Sequence, residues 1–155
     1  MPAVFLSYST PSMEPVLRLR DLLRACGLEV VLAPMPGRTT WPRIQEEVTR
    51  CQAFIAWVAA GGVYSEWVWK EVQEAMKALP PGAVIPVVEE GASAPAALRE
   101  MGGLPFHPAR TAEAAEESLD RLRELRATGA SPALQLVWGA LALLFLAMTS
   151  ADQGG

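Results

Sequence analysis

One histidine, two cysteines and two tyrosines are all that this 155-residue chain holds of those side chains, and charged residues make up only 19% of it. The lone histidine, His107, has no neighbouring nucleophile with which to form a base–nucleophile pair, so triad chemistry is not expected. Nothing in the chain has the ligand spacing of a metal site, and no metal is expected either. Two cysteines are too few for a disulfide framework. Cys26 and Cys51 each fall on the apolar stripe of a predicted helix and read as reduced core thiols. Bases are outnumbered, 13 Lys plus Arg against 17 Asp plus Glu, for a net charge of −4. Without a basic patch interleaved with aromatics, nucleic acid is excluded as a partner. No signal peptide is visible before the first apolar run, so the folded part is expected in the cytosol.

What the chain has in quantity is hydrophobic side chains, 51% of the total, with the excess at the C-terminal end. A length of this order holds one domain with a substantial core. Apolar runs alternate with helical periods, the pattern of a parallel sheet with crossover helices. The runs predict strands over Ala3–Ser7, Leu28–Leu32, Ala53–Ala59, Val84–Val88 and Leu104–His107. Several are continuously apolar, as strands covered on both faces must be. Between them a helix is predicted over Glu14–Ala25, stopped by Gly27. A second carries Ile44, Val48 and Cys51 after Pro42. The third has Val68, Val72, Ala75, Met76 and Leu79 on its core face. A short one follows Pro95, and a charged amphipathic helix covers Thr111–Ala127. Five strands and five helices in alternation make an α/β, flavodoxin-like fold with helices on both faces of a five-stranded parallel sheet.

In such sheets ligands bind outside the carboxyl ends of the strands. The loops at that edge are Ser9–Met13, Pro34–Pro42, Ala60–Tyr64 and Glu89–Ala94. Val4-Phe5-Leu6-Ser7-Tyr8-Ser9 reads as a buried strand that breaks into a polar loop. Ser65-Glu66-Trp67-Val68-Trp69-Lys70-Glu71 reads as a helix start with Ser65 as N-cap. Trp67 and Glu71 are four residues apart, so ring and carboxylate share one helix face. At roughly 100° per residue they lie about a quarter turn from the core stripe, and Glu71 is expected at the edge of the core, partly desolvated.

Together these two segments resemble the TIR (Toll/interleukin-1 receptor) domain family, in which an F-[IL]-S-Y box ends the first strand and S-x-W-x-x-x-E opens a later helix. The resemblance runs from about Ala3 to Ala127. It implies a TIR domain similar to those that cleave NAD+, with Glu71 as the catalytic glutamate and NAD+ as substrate rather than cofactor. It also implies ligand contacts at Tyr8 and Ser9, at Trp67, and at Trp41, which matches an aromatic at the end of the family's BB loop. Arg38, in the same loop, is a candidate partner for the NAD+ diphosphate on grounds of charge. The resemblance implies self-association with other TIR domains, as a homo-oligomer in signalling or defence. Trp57 and Trp69 read as packing residues. The chain departs from many relatives just after the first box, where it has Thr10-Pro11-Ser12-Met13-Glu14. Two alternatives remain: a non-catalytic adaptor working through TIR–TIR contact, and another flavodoxin-like nucleotide module.

Residues 1–128 account for this domain. Residues 129–132 read as a linker, 133–150 as a transmembrane helix and 151–155 as a short polar tail. From Ala133 to Met148 only Gln135 is clearly polar, and Pro132–Ser150 would span roughly 28 Å as a helix, close to the hydrocarbon thickness. Arg121, Arg123 and Arg126 precede the segment and no base follows it. The expectation is a single-pass C-terminal anchor through Ala133–Thr149, with the TIR domain cytosolic.

Overall fold

A computed structural model describes residues 2–9, 13–33, 41–61, 66–94 and 96–153. Strands β1 (Ala3–Ser9), β2 (Glu29–Leu32), β3 (Ala53–Val58), β4 (Val84–Glu89) and β5 (Leu104–Phe106) alternate with helices α1 (Glu14–Ala25), α2 (Trp41–Arg50), α3 (Glu66–Ala78), α4 (Ala96–Arg99) and α5 (Thr111–Thr128). A sixth helix, α6, runs over Pro132–Gln153. The sheet is wholly parallel, in the order β2-β1-β3-β4-β5. This is the flavodoxin-like order, and the direction in which successive strands are added reverses between β1 and β3.

Alternation along the strands divides the core in two. Val4, Leu6, Ile55, Trp57, Ile85 and Val87 point toward α1, α5 and α6. Phe5, Phe54, Ala56 and Val58 point toward α2, α3 and α4. Phe5 and Phe54, paired in register on β1 and β3, stack with ring centroids 5.3 Å apart. Every residue of β3 is buried, as its unbroken apolar run requires. Helix α1 starts with Pro15 in its first turn and stops where Gly27 takes φ 89°. There the Leu28 N–H bonds to Leu23 O and the Gly27 N–H to Arg24 O, which satisfies the last carbonyls of the helix.

Two expectations need correction. Met76 is 47% exposed rather than in the core, because α3 turns its Val68, Val72 and Ala75 side to the sheet. The larger correction concerns α6. The fold is not complete at α5: α6 lies between α1 and α5 and reaches β3. Val137, Leu141, Leu144 and Phe145 are fully buried. Phe145 packs on Trp57 and Phe106, with centroids 5.9 Å and 5.4 Å away. Leu119, Leu122 and Leu125 of α5 are only half-buried, and Leu122 and Leu125 pack against the cluster that holds α6. Two polar side chains of α6 are also matched within the domain. Gln135 Nε2 donates to Ala130 O at 2.9 Å, and Thr149 hydrogen-bonds Thr111 across to α5 at 2.6 Å. The Arg121 guanidinium lies 5.8 Å from the Trp138 ring.

Candidate active site at the carboxyl edge of the sheet

Ser7 alternates with Phe5 on β1, so it faces the α3 side near the carboxyl end of the strand. Helix α3 packs across β1, β3 and β4 and brings Glu71 over that position. The Ser7 hydroxyl donates to Glu71 Oε1 at 3.3 Å. Both side chains are buried, Ser7 at 0% exposure and Glu71 at 1%. Glu71 is therefore deeper than the edge position its helix phase suggests. The three-dimensional reason is the sheet itself, which closes over the quarter turn that a helical wheel leaves open.

The second oxygen, Oε2, is buried and has no hydrogen-bond partner among the described residues. A carboxylate oxygen left in this state costs about 1–3 kcal/mol or more. Burial accordingly pushes the Glu71 carboxyl up to about 7, and the Ser7 hydrogen bond opposes that rise in part. A carboxyl poised near neutrality with one free oxygen, beside the strand-order switch, is an arrangement suited to ligand chemistry.

Tyr8 and Ser9 finish β1 opposite Trp57 and Val58 of β3. Tyr8 is half-buried and touches both halves of the core, while Ser9 is buried. The Ser9 carbonyl accepts the Ala59 N–H at 2.9 Å, joining the two strand ends at the switch. Trp41 opens α2 and is half-buried against the same core cluster as Val68 and Val72. Arg38 and the side chain of Trp67 lie outside the described residues. The structure thus brings Ser7 to Glu71 and places Tyr8, Ser9 and Trp41 on elements around them. His107 sits apart after β5, its Nδ1 accepting the Ala109 N–H at 3.0 Å.

Ser7 was not among the expected ligand or catalytic residues. Its signal was available: a hydroxyl in line with Ala3 and Phe5, on a strand otherwise apolar on that face, needs a buried partner. A separate cavity of about 210 Å³ opens between β4, β5 and α4, lined by Pro86, Val88, Leu98 and Leu104. Neither Glu71 nor Ser7 lines it.

The TIR domain family model matches residues 4–123, from the first strand through most of α5. The chain belongs to the TIR domain family. No protein of curated function matches this TIR domain. Among solved structures it is similar to the CMP N-glycosidase BcmB of Clostridium botulinum, at 20% identity over 68% of this chain and 86% of that one, with a TM-score of 0.49. It is also similar to the TIR domains of the activated Roq1 resistosome, which directly recognises the pathogen effector XopQ, at 15% identity, 94% and 84% coverage and a TM-score of 0.46. The Flv1 flavodiiron core from Synechocystis aligns at 13% identity over 97% of this chain, with a TM-score of 0.50. This TIR domain spans only 36% of that core, and the likeness there is one of fold.

Proposed function

We propose that this TIR domain cleaves NAD+ at the bond between nicotinamide and ribose, with Glu71 as the catalytic residue. The observation that carries the reading is the buried carboxyl of Glu71, held at one oxygen and free at the other. The C–N bond breaks heterolytically and its electron pair goes to the pyridine nitrogen, so nicotinamide leaves neutral and needs no general acid. Positive charge develops on the ribosyl group. An ionised Glu71 hydrogen-bonded to the ribose hydroxyls stabilises that charge, as a carboxylate does for a glycosyl oxocarbenium ion. Water then adds to the anomeric carbon and loses a proton, giving ADP-ribose; capture by the adenine ring gives a cyclic form instead. In this reading Trp67 and Trp41 stack on the cofactor-like rings, Tyr8 and Ser9 contact the ribose end, and Arg38 pairs with the diphosphate. Self-association with other copies activates the site, and the role is in signalling or defence.

Nicotinamide release from NAD+, measured with concentrated full-length protein, tests the reading. Glu71→Ala is expected to remove turnover about a hundredfold or more while the domain stays folded. A second reading, a TIR adaptor without catalysis, draws on the same burial, since at 1% exposure Glu71 has almost no contact with solvent. An adaptor releases no nicotinamide in either form.

Membrane attachment through α6 belongs to the same proposal in a narrower form. The helix is long and apolar enough to cross a bilayer over Pro132–Ser150, and 44% of that stretch is buried inside the domain. Leu136, Leu143 and Leu146 remain exposed along its outer side. Spanning would require Phe145 to leave Trp57, so the packed and spanning positions exclude each other. Carbonate fractionation distinguishes them: a spanning α6 stays in the pellet, a packed one does not.

A further inference from the structure

We propose that Ser7 is the positioning residue for Glu71, fixing Oε1 with its hydroxyl so that Oε2 is the oxygen that receives the ribose hydroxyls. The inference rests on the NAD+-cleavage reading for its substrate, and on geometry for the rest. Ser7 and Glu71 are both fully buried, 64 residues apart in sequence and joined side chain to side chain at 3.3 Å. One oxygen is thereby occupied and turned toward β1, while the other is buried without a partner among the described residues. Turning the carboxyl away from Ser7 would break the only hydrogen bond described for it, so the hydroxyl holds the carboxyl with one oxygen on β1 and leaves the other for the ligand.

The hydroxyl also governs how readily the carboxyl ionises, because its bond favours the charged form against burial. Among the described residues no other group shares this task. The elements packed against α3 carry Tyr8 on β1, Glu89 on β4, and Arg43, Glu46, Glu47 and Arg50 on α2; β3 carries no titratable side chain. Glu47 is paired with Arg43 and Arg50, and Glu89 accepts the Ala60 N–H. On α3 itself Glu74 takes the Gln45 amide at 3.4 Å, and Lys70 and Lys77 complete the described charges. Burial and Ser7 are the two causes of the Glu71 displacement.

The test compares full-length wild type with Ser7→Ala and with Ser7→Cys, which keeps the side-chain shape at a slightly larger size but offers only a weak donor. Two readouts are taken across pH 5.5 to 9: nicotinamide release from NAD+, and the 13C chemical shift of the Glu71 carboxyl. Both variants are expected to move the acid limb of turnover to higher pH. The loss should be about three- to tenfold at pH 7 and should shrink above pH 8.5, with KM changed less than kcat. The carboxyl titration should move in the same direction. Superimposable titrations in wild type and both variants overturn the positioning role. A shifted titration in a protein that releases no nicotinamide upholds the Ser7–Glu71 coupling and removes the NAD+ reading instead.

Discussion

Phe145 lies stacked on Trp57, their ring planes 12° apart, and this contact carries the C-terminal helix into the domain core. Trp57 belongs to the central strand and is 1% exposed. Removing α6 would bare the Trp57 and Phe106 rings together with the apolar sides of α1 and α5. The helix is thus a structural layer of this TIR domain, whatever else it does.

Phe145→Ala should cost about 3–5 kcal/mol, the usual range for emptying a buried phenylalanine site. Thermal melts of full-length protein in buffer would show it, with a red shift in Trp57 fluorescence. An unchanged melt would mean that α6 does not rest on β3 in solution, and would favour its placement in a membrane.

The second prediction concerns Glu71 and pH. The folded carboxyl titrates at about 7 against an ordinary value of 4.5, so it is raised by folding. Stability is therefore fully present below the ordinary value and is lost as pH climbs through about 7. Above that the ionised, half-partnered carboxylate costs about 3 kcal/mol. Glu71→Gln should match wild type in chemical denaturation near pH 4.5 and exceed it increasingly up to pH 8. Turnover, which needs the ionised form, should rise over the same interval. A stability gap independent of pH would sink the buried-carboxylate assignment.

Assembly supplies a third. If the site is completed or ordered by a neighbouring copy, dilute protein should be nearly inert. Specific activity should then climb with concentration or with crowding agents, because clustering raises effective concentration. Constant specific activity from nanomolar to high micromolar protein would show that a single copy suffices.

Trp41 gives the fourth. It is half-buried at the start of α2. Replacing it by alanine should lower NAD+ turnover about tenfold, the scale of a lost cation–π contact, with a smaller effect on melting. A folded Trp41→Ala protein with wild-type turnover would remove this residue from the site.

Much of this molecule was legible from local pattern. The end of α1 came from Gly27, and the strands from apolar runs flanked by glycine, proline and polar residues. These signals are local because helix capping and strand burial act within a few residues. The same holds in part for Glu71: helical phase put it one turn past Trp67, at the edge of the core. Helical phase failed only in depth, since a wheel contains no information on how far a sheet extends over it.

What the chain determined by itself, then, was the alternation of elements, the TIR motif residues and a C-terminal segment apolar on every side. Composition could not say what would cover that segment. An apolar helix loses contact with water equally well in lipid or against Trp57, and the difference lies in whether a matching groove exists. The tertiary structure supplies such a groove, between α1 and α5 above β3. It likewise decided the partner of Glu71. A hydrogen bond across 64 residues depends on where α3 crosses β1, and that crossing is set by packing of the whole α3 face rather than by any residue near Ser7.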